Sequence, residues 1–194
     1  TYVDALSLLA IAKFIKYEDV NKTTKEETKD INDAKLIIEK ALSYNPDHES
    51  SLALSVMIPL FEIRNQSDNY DLFMMRKLAM RMDRYIAKFP DSPFTLSMSG
   101  FYYGIKSQMF GNESDIELGL TNLLKSHSIL KNSLSKISDL GQIWANQMNF
   151  QFIPALYLAQ KKNDEALKFV TDNKQMVCQD GTYNCLDAGT LKNL

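Results

Sequence analysis

The chain has 194 residues, of which 45% are hydrophobic and 24% are charged, a composition that suits a single large domain with a buried core. Only 7 glycines and 5 prolines occur, too few for the many tight turns of an all-β fold, so helices are favoured. The formal net charge is −2 and no basic run stands out, which argues against nucleic acid and anionic lipid as partners.

The first predicted helix covers residues 3–15, where apolar side chains recur at helical spacing. This is the most apolar stretch of the chain, yet Asp4 and Lys13 interrupt it. It is also shorter than the ~18–20 residues that a membrane-spanning helix needs. We therefore expect no transmembrane segment in this sequence.

Two further helices are predicted on either side of Pro46. The second opens with Thr24 and Glu27, spaced as in a capping box, and ends just before Pro46. The third starts beyond Pro46 and contains Pro59, which we expect to kink it or to end it early.

The fourth and fifth helices meet at a second proline turn. Residues 67–69 (Ser-Asp-Asn) predict the cap of the fourth helix, which ends at Pro90. The fifth begins at Ser92, with Pro93 in the favoured first helical position, and runs to about Met109.

Three more helices complete the predicted set. Ser114 and Glu117 form a second capping-box sequence, and the helix they start ends near Leu130. A longer helix is predicted over 133–160, and a last one of about ten residues starts at Asn163. No segment has the pattern of a strand.

The two cysteines lie where the helical period is lost. We expect residues 1–174 to form one helical domain and 175–194 a C-terminal tail that holds Cys178 and Cys185. An Asp-Gly turn between the cysteines brings them within the short separation of a disulfide. Two free thiols remain the alternative.

The pairing of the cysteines decides the expected compartment. A disulfide indicates an oxidising one, namely the bacterial periplasm, the cell surface or the medium, whereas free thiols would leave the cytoplasm open. A metal site at the two cysteines is the least favoured interpretation, because His48 and His127 are far from the cysteines in sequence.

The chain repeats part of itself around its two proline turns. Ala34, Ile38, Ala41 and Leu42 stand 12, 8, 5 and 4 residues before Pro46. This pattern resembles the second helix of a tetratricopeptide repeat, in which small residues let two helices approach closely and a proline ends the second one.

Two further segments carry the same resemblance. After Pro90, Leu96, Gly100 and Tyr103 match the first helix of the repeat, with Gly100 as the residue of closest helix contact. Ala166 stands at the small position of a later second helix. The two prolines are 44 residues apart instead of ~34, so the repeats are irregular.

The resemblance implies an all-α, irregular stack of antiparallel helical hairpins that binds partners, similar to divergent bacterial periplasmic and lipoprotein members of the tetratricopeptide family. A helical bundle without repeats is the alternative. We expect no enzyme and no cofactor. His48 sits at a helix start as a solvated neighbour of the cap, and the serines beside His127 point in other directions on the helix.

The repeat register also predicts a concave groove lined by the first helices. The residues expected to face it are Ala53, Met57, Leu60, Ser97, Met98, Phe101, Gln151, Phe152 and Ala155. Such a groove suits an apolar ligand or the amphipathic helix of a partner. Burial of the same residues in the core is the alternative.

The leading functional hypothesis is a protein-binding scaffold of the bacterial envelope. The second hypothesis is an accessory protein, such as a periplasmic transporter component, that holds a solute or lipid in an apolar cavity.

Overall fold

The computed structural model describes residues 1–17, 24–65, 72–132 and 140–178. Within these ranges every regular element is an α-helix and no strand occurs, which confirms the all-α class. The helices are α1 (Tyr2–Tyr17), α2 (Thr24–Tyr44), α3 (Glu49–Asn65), α4 (Leu72–Lys88), α5 (Pro93–Phe110), α6 (Glu113–Lys131), α7 (Leu140–Ala159) and α8 (Asn163–Cys178). None of these helices is long and apolar enough to cross a bilayer.

The helices form two compact units, Thr1–Pro90 and Asp91–Leu194. In each unit every helix packs on the next one along the chain, and the first helix also packs on the third. Two successive helical hairpins whose first helices touch would produce this pattern. The arrangement of a tetratricopeptide stack, and the division into 1–174 and 175–194, stay predictions.

The proline turns end helices as the sequence predicts. Helix α2 ends at Tyr44, two residues before Pro46, and α4 ends at Lys88, two residues before Pro90. Proline cannot donate the backbone hydrogen bond that would continue a helix, and it restricts the residue before it.

Helix α5 has the predicted start and a well-defined end. Ser92 is its N-cap, with extended backbone at φ −67° and ψ 128°, and Pro93 takes the first helical position. Beyond Phe110, Gly111 adopts the left-handed conformation at φ 66° and donates its N–H to the carbonyl of Ser107. Glycine adopts this conformation without the steric cost that a side chain would bring.

The capping box predicted at Ser114 and Glu117 is wrong. The N-cap of α6 is Asn112, whose side-chain oxygen accepts hydrogen bonds from the Ser114 backbone N–H at 3.1 Å and from its hydroxyl at 2.9 Å. Asparagine caps helices as well as serine does, and it directly follows the glycine that ends α5. The helix therefore starts one residue before Ser114.

Other boundaries differ from the prediction in smaller ways. Helix α3 continues past Pro59 to Asn65, so the expected early end does not occur. The described part of the seventh helix begins at Leu140, and the last helix continues to Cys178, making it longer than expected. The cap predicted at 67–69 lies outside the described residues.

Helices α5 and α6 approach most closely at two glycines. A Cβ added to Gly100 would lie 2.8 Å from the carbonyl oxygen of Gly119 and would overlap Leu123. A Cβ added to Gly119 would in turn lie 3.0 Å from the carbonyl oxygen of Gly100. Gly100 is thus a residue of close helix contact, as the sequence predicts.

Candidate functional site

A pocket of about 180 Å³ lies among α2, α3 and α4 in the first unit. Its apolar wall consists of buried side chains from all three helices, namely Ile38, Leu54, Ile58 and Leu78. Its polar edge consists of Lys35, Glu39, Lys77 and Arg81. An apolar interior with a few charged groups at its mouth is the usual build of a binding site.

Pro59 explains why a side chain, and not the backbone, donates to the Ser55 carbonyl at this pocket. A proline in a helix has no N–H to donate to the carbonyl four residues earlier, which here is that of Ser55. Arg81 of α4 donates a hydrogen bond from Nη1 to this carbonyl oxygen at 3.1 Å. The guanidinium of Arg81 thus takes the place of the missing backbone donor.

The same guanidinium reaches the opposite side of the pocket. Its Nη2 donates to Oε1 of Glu39 on α2 at 2.6 Å, so Arg81 connects α4 to both α2 and α3. This places a fixed, planar cation at the mouth of the pocket. Arginine keeps its charge at all physiological pH values, and its remaining N–H groups are available to a ligand.

The other cations of the pocket differ in their partners. Lys35 forms an ion pair with Glu62 of α3. The ammonium of Lys77 lies 4.5 Å from the ring centroid of Phe73, and none of the described residues supplies a carboxylate to it. Among the described residues, the mouth of the pocket therefore has more positive charge than its acidic side chains neutralise.

Large apolar side chains are exposed on the two helices that flank the pocket. Phe73 and Met80 of α4 are 64% and 68% exposed, and Leu36 of α2 is 70% exposed. Phe73, Lys77 and Met80 share one face of α4, because residues three, four and seven apart lie above one another on a helix. Exposed apolar groups beside a pocket are typical of a surface that contacts another molecule.

The structure places six of the nine predicted groove residues in the interior. These are Ala53, Met57 and Leu60 of α3 and Ser97, Met98 and Phe101 of α5, each no more than 1% exposed. Their placement corresponds to the core alternative that the sequence left open. Gln151 and Ala155 of α7 are exposed, and Phe152 is half-buried against Phe101, with ring centroids 4.4 Å apart.

Ser97 belongs to a buried polar cluster that connects three helices of the second unit. Its hydroxyl lies 2.8 Å from that of Ser126 on α6 and donates to Oδ1 of Asn149 on α7 at 2.7 Å. The amide nitrogen of Asn149 donates to Ser126 at 2.9 Å. All three residues are fully buried, so the cluster fixes how the helices pack and offers no surface for binding.

The first unit has a polar cluster of its own. It contains His48, which the sequence predicts to be a solvated neighbour of the helix cap. Its Nε2 lies 2.9 Å from Oδ1 of Asp4, and its Nδ1 lies 2.9 Å from Oγ of Ser51. The hydroxyl of Ser51 is also 2.8 Å from that of Ser7. His48 is thus largely enclosed and joins α1 to α3.

An aspartate, a histidine and a serine that are connected in this order by hydrogen bonds are also the groups of a hydrolytic triad. Ser51 is fully buried and Ser7 is 3% exposed, so no substrate can reach either hydroxyl in this conformation. We therefore interpret the cluster as a structural connection. The sequence did not indicate it, because Asp4 and Ser7 are more than 40 residues away from their partners.

His127 is buried in the second unit against the rings of Phe150 and Phe169. The amide nitrogen of Asn173 donates to the Phe169 carbonyl, so its Oδ1 faces Nε2 of His127 at 3.1 Å and accepts the proton there. Nδ1 is then an acceptor, and it has no hydrogen-bond partner among the described residues. Burial lowers the pKa of His127 below its ordinary 6.5, the charge of Lys131 adds to this, and the Asn173 hydrogen bond opposes it.

This burial predicts a pH-dependent stability. The folded state prefers neutral His127, so its contribution is complete above pH 6.5 and is lost as the pH falls from there through the lowered pKa. We expect the free energy of unfolding of the wild type, minus that of His127→Phe, to decrease between pH 7.5 and pH 5. Fluorescence of Trp144, the only tryptophan, reports unfolding of this unit in urea. A difference that does not change with pH would contradict the prediction.

The described part of the chain contains no group of three or more side chains that could hold a metal ion. Cys178 is the last residue of α8, and the predicted Cys178–Cys185 disulfide lies outside the described residues.

No family model, curated protein or solved structure matches the chain.

Proposed function

We propose that the chain is a protein-binding scaffold, and that the pocket among α2, α3 and α4 receives an apolar side chain from an acidic, amphipathic segment of its partner. The observation that carries the proposal is the pocket itself, with its apolar wall, its cationic mouth and the exposed apolar side chains beside it. The proposal assigns binding and not catalysis to the protein.

The helical packing supports a scaffold built from tetratricopeptide-like hairpins. In both units an aspartate follows the proline turn and is held by a cation from the second helix of the following hairpin. Asp47 is bound by Lys88 at 2.8 Å and by Arg84 at 3.2 Å, and Asp91 is bound by Lys125 at 2.9 Å. A contact that recurs at equivalent positions is expected of a repeat.

The volume of the pocket favours a side chain over a solute or lipid. Pockets for drug-sized ligands measure roughly 300–1,000 Å³, whereas this one measures about 180 Å³. A bulky apolar side chain at the centre of an interface needs only a small, desolvated pocket. The apolar-cavity hypothesis therefore becomes the second candidate, limited to a small solute.

The charge at the mouth indicates the chemistry of the partner. Among the described residues, three cations and one acid line the pocket, and none of these residues supplies an acidic partner to Lys77. Carboxylates beside the apolar anchor of the partner would meet Lys77 and the outer edge of Arg81. Charge complementarity of this kind speeds association and selects partners.

Peptide display offers a direct test. A random peptide library is panned against the full chain, and the affinity of each selected peptide is measured by fluorescence anisotropy. The Ser55→Leu variant fills the pocket, because Ser55 lines it and is 4% exposed. Ser128→Leu makes the same chemical change on an exposed face of α6 and serves as the control. Circular dichroism is used to check that both variants fold.

We expect peptides with a bulky apolar residue and acidic neighbours to bind at least about tenfold more weakly to Ser55→Leu, the loss expected when one anchor contact is removed. Ser128→Leu should bind them like the wild type. Equal affinity for both variants would overturn the proposal, and so would a library that yields no binder. A small apolar solute retained by the wild type in native mass spectrometry, and lost in Ser55→Leu, would favour the cavity hypothesis.

We also propose the bacterial envelope as the location, on the strength of Cys178 and Cys185 alone. Mass measurement of native protein after alkylation, without reductant, tests this. A mass two hydrogens lower than that of the reduced chain, with no alkylation, supports a disulfide and an oxidising compartment. Two alkylated thiols would remove the basis for the envelope.

A further inference from the structure

An ion pair connects two walls of the pocket in the first unit. Oε1 of Glu39 on α2 accepts a hydrogen bond from Nη2 of Arg81 on α4 at 2.6 Å, and both side chains line the pocket. The side chain of Glu39 is 56% exposed and that of Arg81 is 42% exposed, so solutes can reach the pair. A carboxylate of this chain therefore already binds a cation that the proposed function assigns to a carboxylate of the partner.

The guanidinium of Arg81 is also held by a contact that does not involve Glu39. Its Nη1 donates to the Ser55 carbonyl at 3.1 Å, and Pro59 leaves this carbonyl without a donor from the backbone of α3. Arg81 therefore stays at the mouth of the pocket when Glu39 leaves it. Its Nη2 can then donate to another carboxylate in the same place.

A second cation lies beside Arg81. Lys77 precedes Arg81 by four residues, so the two are neighbours on one side of α4, and both line the pocket. Within the described part of the chain, Glu39 forms an ion pair with Arg81 and none with Lys77. A carboxylate that enters between the two cations would contact both of them. This difference in contacts lets the new carboxylate replace Glu39, since a ligand shifts an equilibrium only by binding one state better.

We propose that Glu39 is an internal competitor for Arg81, and that a carboxylate of the partner binds at the pocket by replacing it. This inference rests on the proposed function, because it concerns the same pocket. The exchange costs little, since an exposed ion pair is weak and the released carboxylate of Glu39 returns to water. Glu39 thereby excludes carboxylates that no apolar group fixes in the pocket, and it selects partners with an acid directly beside their apolar anchor.

Two small probes of similar shape test the proposal. 4-Phenylbutyrate carries an apolar ring and a carboxylate, whereas 4-phenylbutanol carries the same ring and a neutral hydroxyl. Their affinities for the full chain are measured at neutral pH by titration of the methionine methyl signals in NMR spectra. Met74 lines the pocket, so its methyl group reports binding of the ring. Ser55→Leu, which fills the pocket, identifies binding elsewhere on the chain.

Glu39→Gln removes the competing charge. We expect this variant to bind 4-phenylbutyrate about threefold more tightly than the wild type, a factor typical of an exposed ion pair, and to bind 4-phenylbutanol with unchanged affinity. Asp83→Asn is the matched control. It removes the same charge from an exposed position two residues past Arg81, on another face of α4, and should change both affinities by less than about 1.5-fold.

Glu39→Asp separates competition for Arg81 from simple charge repulsion. Aspartate keeps the negative charge, but its carboxylate is one methylene further from Nη2 of Arg81. If Glu39 acts by holding Arg81, this variant should also bind 4-phenylbutyrate more tightly than the wild type. Repulsion by the charge alone would leave the affinity at the wild-type value.

Three results would overturn the proposal. They are equal binding of 4-phenylbutyrate by the wild type and Glu39→Gln, an equal gain for 4-phenylbutanol, and wild-type affinity of Glu39→Asp for 4-phenylbutyrate. If 4-phenylbutyrate binds, Ser55→Leu abolishes this binding and Glu39→Gln has no effect, the pocket and the proposed function stand and only the role of Glu39 is wrong. Failure of the peptide display would instead count against the proposed function itself.

Discussion

Gly100→Ala should lower the free energy of unfolding of the second unit by about 2 kcal/mol. The added Cβ meets the carbonyl of Gly119 and the branch of Leu123, so α5 and α6 must move apart. Overpacking of a dense core costs about 1–3 kcal/mol of stability. The better helix propensity of alanine offsets at most about 1 kcal/mol of this cost. Urea unfolding followed by the fluorescence of Trp144 measures the loss.

Gly104→Ala, four residues along the same helix, is the matched control. Its Cβ would lie 3.2 Å from Cδ2 of Leu156, the end of a flexible side chain that can turn away. The steric cost and the gain in helix propensity should nearly cancel, leaving a change within about 1 kcal/mol. If both substitutions destabilise the unit equally, the close crossing at Gly100 is not the cause.

Arg81→Met should lower the free energy of unfolding of the first unit by about 2 kcal/mol. Methionine keeps much of the packing of the side chain but leaves the carbonyl of Ser55 without its donor, because Pro59 cannot supply one. Leaving a desolvated polar group unpaired costs about 1–3 kcal/mol. The ion pair with Glu39 adds little, since both side chains are about half exposed. Urea unfolding followed by circular dichroism measures the loss.

A double-mutant cycle with Pro59→Ala isolates this cause. Alanine supplies the backbone N–H that the Ser55 carbonyl lacks, so Arg81→Met should be less costly in that background by about 1 kcal/mol. Glu39→Gln controls for the surface ion pair and should have a small effect. If the effects of Arg81→Met and Pro59→Ala on the free energy of unfolding are fully additive, Arg81 does not replace the backbone donor.

The sequence predicted the parts of the fold that depend on neighbouring residues. The helix ends before Pro46 and Pro90, and the start at Ser92 and Pro93, follow from the restricted backbone of proline. The close contact at Gly100 followed from the resemblance. Where two good capping residues stood close together, as at Asn112 and Ser114, sequence pattern alone selected the wrong one.

The pocket was not predicted, because its position depends on which helices contact which sides of α3. Helix α3 is buried on most of its circumference, so its apolar pattern shows no preferred face. The repeat register predicted that Ala53, Met57 and Leu60 face a groove. The pocket is instead lined by their neighbours Leu54 and Ile58. The other half of the pocket comes from α2 and α4, and no local pattern places those helices beside α3.

The hydrogen bond from Arg81 to the Ser55 carbonyl, which Pro59 leaves without a backbone donor, also constrains the order in which Arg81 and Pro59 can arise. A chain that acquires Arg81 first keeps a normal α3 and loses nothing. A chain that acquires Pro59 first must carry an unpaired Ser55 carbonyl until a donor appears. Once both are present, loss of the arginine is costly while loss of the proline is not. Arg81 is therefore hard to lose once Pro59 is present. Homologues with proline at position 59 should carry the arginine at position 81, whereas homologues with the arginine need not carry the proline.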